Sequence, residues 1–284
     1  MKESMTGPEL LRENVGRLKS RMGACFVGSH AVFRGKDLHA ELGDAKWIDL
    51  YLFGITGRRF PEAQLRLLEA LWSYTSYPDA RIWNNRVAAL AGSSRSTGNL
   101  GVSAGLALSE ASIYGRGIDI RAIDFLIRTR AVLAAGGELE PWVGKELSAR
   151  RSLAGYGRPI ASGDERIQPI MKLARSLGLA DGPHLELAFA IEKALLSGRF
   201  RMHMNYGGVV AALAADMGLS PREYYLFMYP AFLAGMLPCY IEASENPEGT
   251  LLPLACDHVG YLGAPKRKWE KRPQAAEPRI GEAA

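Results

Sequence analysis

Apolar residues recur every three or four positions along most of this chain. In FPEAQLRLLEALWSY, Pro61 opens a segment in which Leu65, Leu68 and Trp72 share one face, the spacing of an amphipathic helix. The same period predicts helices over residues 86–110, 117–135, 167–177, 184–196 and 209–217. Gly136 and Gly137, Gly178 and Gly218 follow three of these runs, where a helix C-terminus favours a residue free to adopt positive φ. Ser220, Pro221 and Glu223 form a capping signal ahead of YYLFMYPAFLAGMLPCYI, residues 224–241, which carry no charge. That run is near the lower length limit for a membrane span. With Pro230 and Pro238 inside it, it reads instead as a buried, bent core helix. Only ACFVGSHAVFRG alternates in the manner of strands, which predicts a short β-hairpin near the N-terminus. The expected fold is all-α, a large helical body with a smaller lobe over residues 142–200.

Composition narrows this picture. The chain has 284 residues, 48% of them hydrophobic, enough for one large core or two modest ones. Lys and Arg total 35 against 30 for Asp and Glu, and part of that excess sits in KRKWEKRPQ near the C-terminus, so no nucleic-acid partner is expected. Cys25, Cys239 and Cys256 show no paired spacing and the five histidines form no ligand-like cluster with them, so neither a disulfide framework nor a metal is expected. MKESMTGPEL has no apolar run of signal-peptide length; with the unpaired cysteines it points to a cytoplasmic protein without a membrane partner.

The stretch with the most chemistry is GYGRPIASGDERI. It sets Arg158 behind a two-glycine turn, Gly155-Tyr156-Gly157, and Arg166 eight residues later, just after Asp164 and Glu165. Two guanidinium groups so placed can bind a carboxylate or an oxyanion. They can equally pair with Asp164 and Glu165 as ordinary structure.

The order of motifs resembles the citrate synthase family, above all citryl-CoA lyase and the C-terminal module of ATP-citrate lyase. VFRGKDLHAELGDAKWIDLYLFGITGRRFPEAQ is similar to the family's opening hairpin and helix, and NNRVAALAGSSRSTGNLGVSAGLALSEASIYGRG to the stretch carrying its first catalytic histidine. LAGYGRPIASGDERI resembles its GxGHRVxxxxDPR turn, RMHMNYGGVVAALAADMGLSPREYYLFMYPAFLAGMLPCYIE its N-x-D segment and long buried helix, and LLPLACDHVGYLGAP its terminal RPxxxYVGP. The resemblance covers residues 25–268, with an N-terminal segment over 1–24 and a tail over 269–284. It implies Claisen chemistry on a coenzyme A thioester or its reverse, no metal, and a homodimer. In that chemistry an aspartate removes the α-proton, histidines polarise the carbonyls and arginines hold the carboxylates of the partner acid.

The sequence departs from this pattern at the reacting positions. Gly207 stands where the base should follow Asn205; the enolate histidine falls on or beside Ile113; the turn histidine is Arg158. Phe232 and Leu252 replace carboxylate-binding arginines, and Ser76 lies near the place of a substrate histidine. The resemblance therefore implies catalytic roles for Arg158, His203 and Tyr206, and substrate contacts at Arg166, Asn205, Phe232, Leu252 and Ser76. Coenzyme A would meet Gly155, Tyr156, Gly157, Lys266, Arg267 and Lys268. Glu110 and Glu242 are further candidates for the missing base, and Cys239 a buried thiol. Losing two cations implies an acyl group less charged and bulkier than citrate. The alternative is a non-catalytic relative that binds coenzyme A or a partner protein.

Overall fold

The computed structural model describes residues 7–16, 19–112, 115–158, 163–199, 201–250, 258–265 and 267. The chain divides into a body ending at Leu251 and a C-terminal segment from Leu252 onward, whose described residues are all exposed. Among the described residues the regular structure of the body is helical, beginning with the exposed α1 (Gly7–Asn14), apart from a small antiparallel sheet of β1 (Gly23–Phe26), β2 (His30–Phe33) and β3 (Lys36–Asp37). The hairpin register pairs Gly23 with Phe33 and Phe26 with His30, on the stretch whose alternation predicts it.

α10 (Tyr206–Asp216) is the central helix. Apart from Gly207 and Asp216 all its residues are buried, which its run of Val, Ala and Leu permits on every side. α6 (Arg116–Ala134) and α9 (Pro183–Ser197) pack against it and α11 (Pro221–Phe227) packs on α6, with Ile123, Leu126, Ile191 and Tyr224 in the shared core. α2 (Trp47–Thr56) and α3 (Glu62–Ser73) join α11 through stacked aromatics, Trp72 lying 5.0 Å from Phe227 and donating from Nε1 to its carbonyl at 3.0 Å.

The period over residues 86–110 resolves into two helices, α4 (Trp83–Ser93) and α5 (Gly98–Leu108). The break falls where Arg95 takes φ 59° and Thr97 caps α5 by accepting from Leu100 N–H. The uncharged run at 224–241 is divided between α11, a 3₁₀ turn at Tyr229–Phe232 and α12 (Leu233–Glu245). The Ser220–Glu223 capping box is formed as expected. By length and composition Pro221–Glu245 could cross a membrane. Here Tyr224, Phe227, Ala231, Met236 and Cys239 are instead buried in the body. α12 packs on α4 so closely that Gly92 leaves no room for a side chain beside the Tyr240 carbonyl. α7 (Leu139–Arg150) and α8 (Ile167–Ser176) complete the residue 142–200 region.

Candidate functional site

The site is organised by the glycine turn and the lead-in to α10. Gly155 and Gly157 hold φ of 89° and 81°, a region where an ordinary side chain is strained. Tyr156 between them forms an antiparallel bridge with Met204. Gly157 N–H donates to the His203 carbonyl at 2.7 Å, and Asn205 N–H donates to the Gly155 carbonyl at 2.9 Å. A Cβ on Gly155 would come within 2.8 Å of Gly208 Cα, so the close approach of turn and helix depends on glycine at both positions. Asn205 closes the joint, its Nδ2 donating to the Gly157 carbonyl at 2.9 Å and its Oδ1 accepting from Gly208 N–H at 3.3 Å.

The two arginines face this turn already engaged. Arg158 Nη1 donates to the Gly163 carbonyl and to Glu165 Oε2, each at 2.7 Å. Arg166 forms a two-pronged pair with Asp164, Nε and Nη2 both at 2.9 Å, and its guanidinium lies 4.5 Å from the centre of the Tyr206 ring. Asp164 also accepts from Tyr206 N–H at 2.9 Å. Burial pushes the Asp164 carboxyl up, but Arg166 and that N–H outweigh it and hold it below its ordinary value. Arg158 likewise lowers Glu165. Two cations and two anions so paired leave little net charge.

Beside them opens a cavity of about 780 Å³. Gly155, Tyr156, Gly157, Arg158, Arg166, Asn205, Tyr206 and Phe232 all line it. Tyr156 and Tyr206 spend their hydroxyls on the carbonyls of Ala188 and Leu71. His203 is not among the lining residues; its side chain is half-exposed, with Nδ1 3.3 Å from Glu192 Oε1. Ser76 Oγ donates to the carbonyls of Trp72 and Ala231 and is also absent from the wall. Glu110 accepts from buried Arg116 and from the Tyr225 hydroxyl. Glu242 is exposed on α12, and Cys239 packs against Ala89 and Ala243, burial raising its thiol pKa. Arg267 is exposed in the C-terminal segment. Ile113, Leu252, Lys266 and Lys268 lie outside the described residues.

The cavity also holds residues that sequence reasoning missed. Asp119, in the first turn of α6, and Tyr224, on α11, are buried in its wall. Burial pushes the Asp119 carboxyl up to about 7, against the opposing pull of Arg116, and raises the Tyr224 hydroxyl well above its usual value. In the sequence Asp119 looks like any acid at a helix start, and Tyr224 like one apolar residue in a run of them. At the rim Arg121 donates to backbone carbonyls of Gly117 and Ser112, and Arg150 is exposed on α7. Neither is paired with a carboxylate among the described residues. No group of three or more His, Cys, Asp or Glu gathers in metal-binding fashion among the described residues.

This architecture is the citrate-synthase-like fold. The structure is similar to citryl-CoA lyase from Hydrogenobacter thermophilus, with a TM-score of 0.76 and 22% identity over 89% of this chain and 97% of that one. It is similar to ATP citrate lyase from Methanothrix soehngenii, solved with citrate and coenzyme A, with a TM-score of 0.71 and 16% identity over 93% of this chain and 45% of that one. A third likeness is to citrate synthase from Thermoplasma acidophilum, solved with carboxymethyl coenzyme A and oxaloacetate: TM-score 0.61, 18% identity, 80% of this chain and 59% of that one. No family model and no curated protein matches the sequence.

Proposed function

We propose that the chain binds an acyl-coenzyme A thioester in the 780 Å³ cavity and makes or breaks a carbon–carbon bond beside the thioester carbonyl. The observation that carries this is the turn itself: two positive-φ glycines locked to the start of α10, on a fold shared with proteins solved with coenzyme A. Arg121 and Arg150 at the rim suit the phosphates, and Arg158 suits a developing oxyanion once it lets go of exposed Glu165. Arg166 is less available, because Asp164 holds it with two bonds.

Phe232, Met228, Phe125 and Val210 give the interior an apolar lining, and the charges near the turn already cancel. Both features support an acyl group less charged and bulkier than citrate, since a polycarboxylate would need cations with no other partner. Exposed Leu100 and Leu108 on α5 and Leu237 and Ile241 on α12 support pairing of two copies through those helices.

Calorimetric titration with butyryl-CoA, isobutyryl-CoA and citryl-CoA tests the reading. The monoacyl thioesters should bind more tightly than citryl-CoA, and crystals of the complexes should show the acyl end between Arg158 and Phe232. Absence of binding by every thioester, or an acyl group seated elsewhere, overturns it. The pairing of Arg158 and Arg166 with acids favours a second reading, a chain that binds coenzyme A or a partner without turnover. Binding with no bond made, broken or exchanged would select it.

A further inference from the structure

Asp119 Oδ2 and the Tyr224 hydroxyl are closed off from solvent and have no hydrogen-bond partner among the described residues. Leaving such a group unpaired is costly, so folded proteins seldom tolerate it without compensation elsewhere. Two of them here sit in the wall of one cavity, on adjoining helices. Asp119 comes from α6 and Tyr224 from α11, and each helix is fixed by core contacts that do not involve either polar atom.

Gly207 opens the space in front of the carboxyl. A Cβ there would stand 3.9 Å from Asp119 Oδ1 and 3.2 Å from Asn205 Oδ1. Any larger residue would extend into the same space, whereas glycine leaves it to a ligand atom. The missing side chain thus leaves room beside one oxygen of the carboxyl, Oδ1, and the other, Oδ2, is the unpaired one.

We propose that Asp119 is the base that removes the proton from the carbon next to the thioester carbonyl, with the Tyr224 O–H donating to the carbonyl oxygen. This rests on the thioester reading above. The C–H bond breaks, its proton goes to a carboxylate oxygen of Asp119, its electron pair forms the carbon–carbon double bond of the enolate, and the carbonyl π pair moves onto oxygen, where the Tyr224 hydroxyl stabilises the growing charge. In the cleaving direction the neutral acid returns the proton to carbon. The charged and titratable groups around Asp119 are Arg116 on its own helix, Tyr224 on α11 and, next to Tyr224, Tyr206 on α10; the acid of α7, Glu146, is turned to Arg128 further along α6. A carboxyl held near neutrality exists in both forms at physiological pH, and the tyrosine remains a donor throughout.

The experiment is deuterium exchange at the α-carbon of butyryl-CoA in D2O, read by proton NMR, with wild type, Asp119→Asn and Tyr224→Phe. Thioester affinity is measured on the same samples. The wild type should exchange, Asp119→Asn should lose about 10²–10⁴-fold in rate with affinity retained, and Tyr224→Phe about 10²–10³-fold. Because Asp119→Asn is nearly isosteric, retained affinity also reports its folding. A separate readout needs no substrate: the Asp119 Cγ resonance should titrate near 7. Exchange by Asp119→Asn at the wild-type rate overturns the assignment while leaving the thioester reading intact. A wild type that binds thioester without exchanging it does the same, and one that binds no thioester overturns both.

Discussion

Two walls of one cavity treat their polar groups in opposite ways. At the turn, Arg158, Asp164, Glu165 and Arg166 satisfy one another, and Asp164 also ties Tyr206 into place. Elsewhere in the lining, Asp119 Oδ2 and the Tyr224 hydroxyl are buried with no partner among the described residues. The paired wall gives the site its shape, and the unpaired wall keeps its bonding capacity for a ligand. Charge in a sequence is thus a poor guide to reactivity by itself, because a cation beside two acids is mostly spent before any substrate arrives.

The largest effect that separates the two walls is the pH dependence of stability. Asp119 ionises near 3.8 in the unfolded chain but only near 7 when folded, so the native state holds the extra proton between those values. Stability contributed by this group is therefore present at low pH and lost as pH rises from 3.8 to about 7, staying flat above. Denaturant unfolding of wild type against Asp119→Asn should show the wild type losing on the order of 4 kcal/mol relative to the variant across that window. A constant difference would mean that Asp119 is not held protonated.

Next comes the paired wall. Arg166→Ala strands Asp164, whose side chain is fully buried, and should cost about 3 kcal/mol by chemical denaturation, the low end for breaking a buried pair because Arg166 keeps some contact with water. A loss below about 1 kcal/mol would show that the backbone N–H groups of Tyr206 and residue 166 suffice to hold Asp164. Smallest is Arg158→Ala. Its partner Glu165 is well exposed, so the stability change should be about 0–1 kcal/mol, while thioester affinity falls. A large stability loss there would make Arg158 part of the scaffold and remove it from ligand binding.

Much of the scaffold was legible from residue spacing. The caps at Ser220, Gly178 and Gly218, the N-terminal hairpin and most helices follow from local rules, because cap and periodicity signals act within a few residues. The division of residues 86–110 was not legible, since Thr97 reads as a polar helix position until Arg95 takes positive φ before it. At the site, the glycine turn could be read from its composition, and so could the alternative that its arginines pair with their neighbours. Asp119 could not. Its neighbours in sequence say nothing of the burial that raises its pKa, and Tyr224 comes to it from about a hundred residues away, at the start of an uncharged run.

The amino-acid sequence by itself determined most of the helices, their caps, the two-glycine turn and the absence of a side chain at Gly207. All of these depend on residue type and short spacing. Tertiary packing alone decided which charges were neutralised and which polar atoms were left alone, because desolvation and hydrogen-bond partnership are properties of the neighbours that folding brings together.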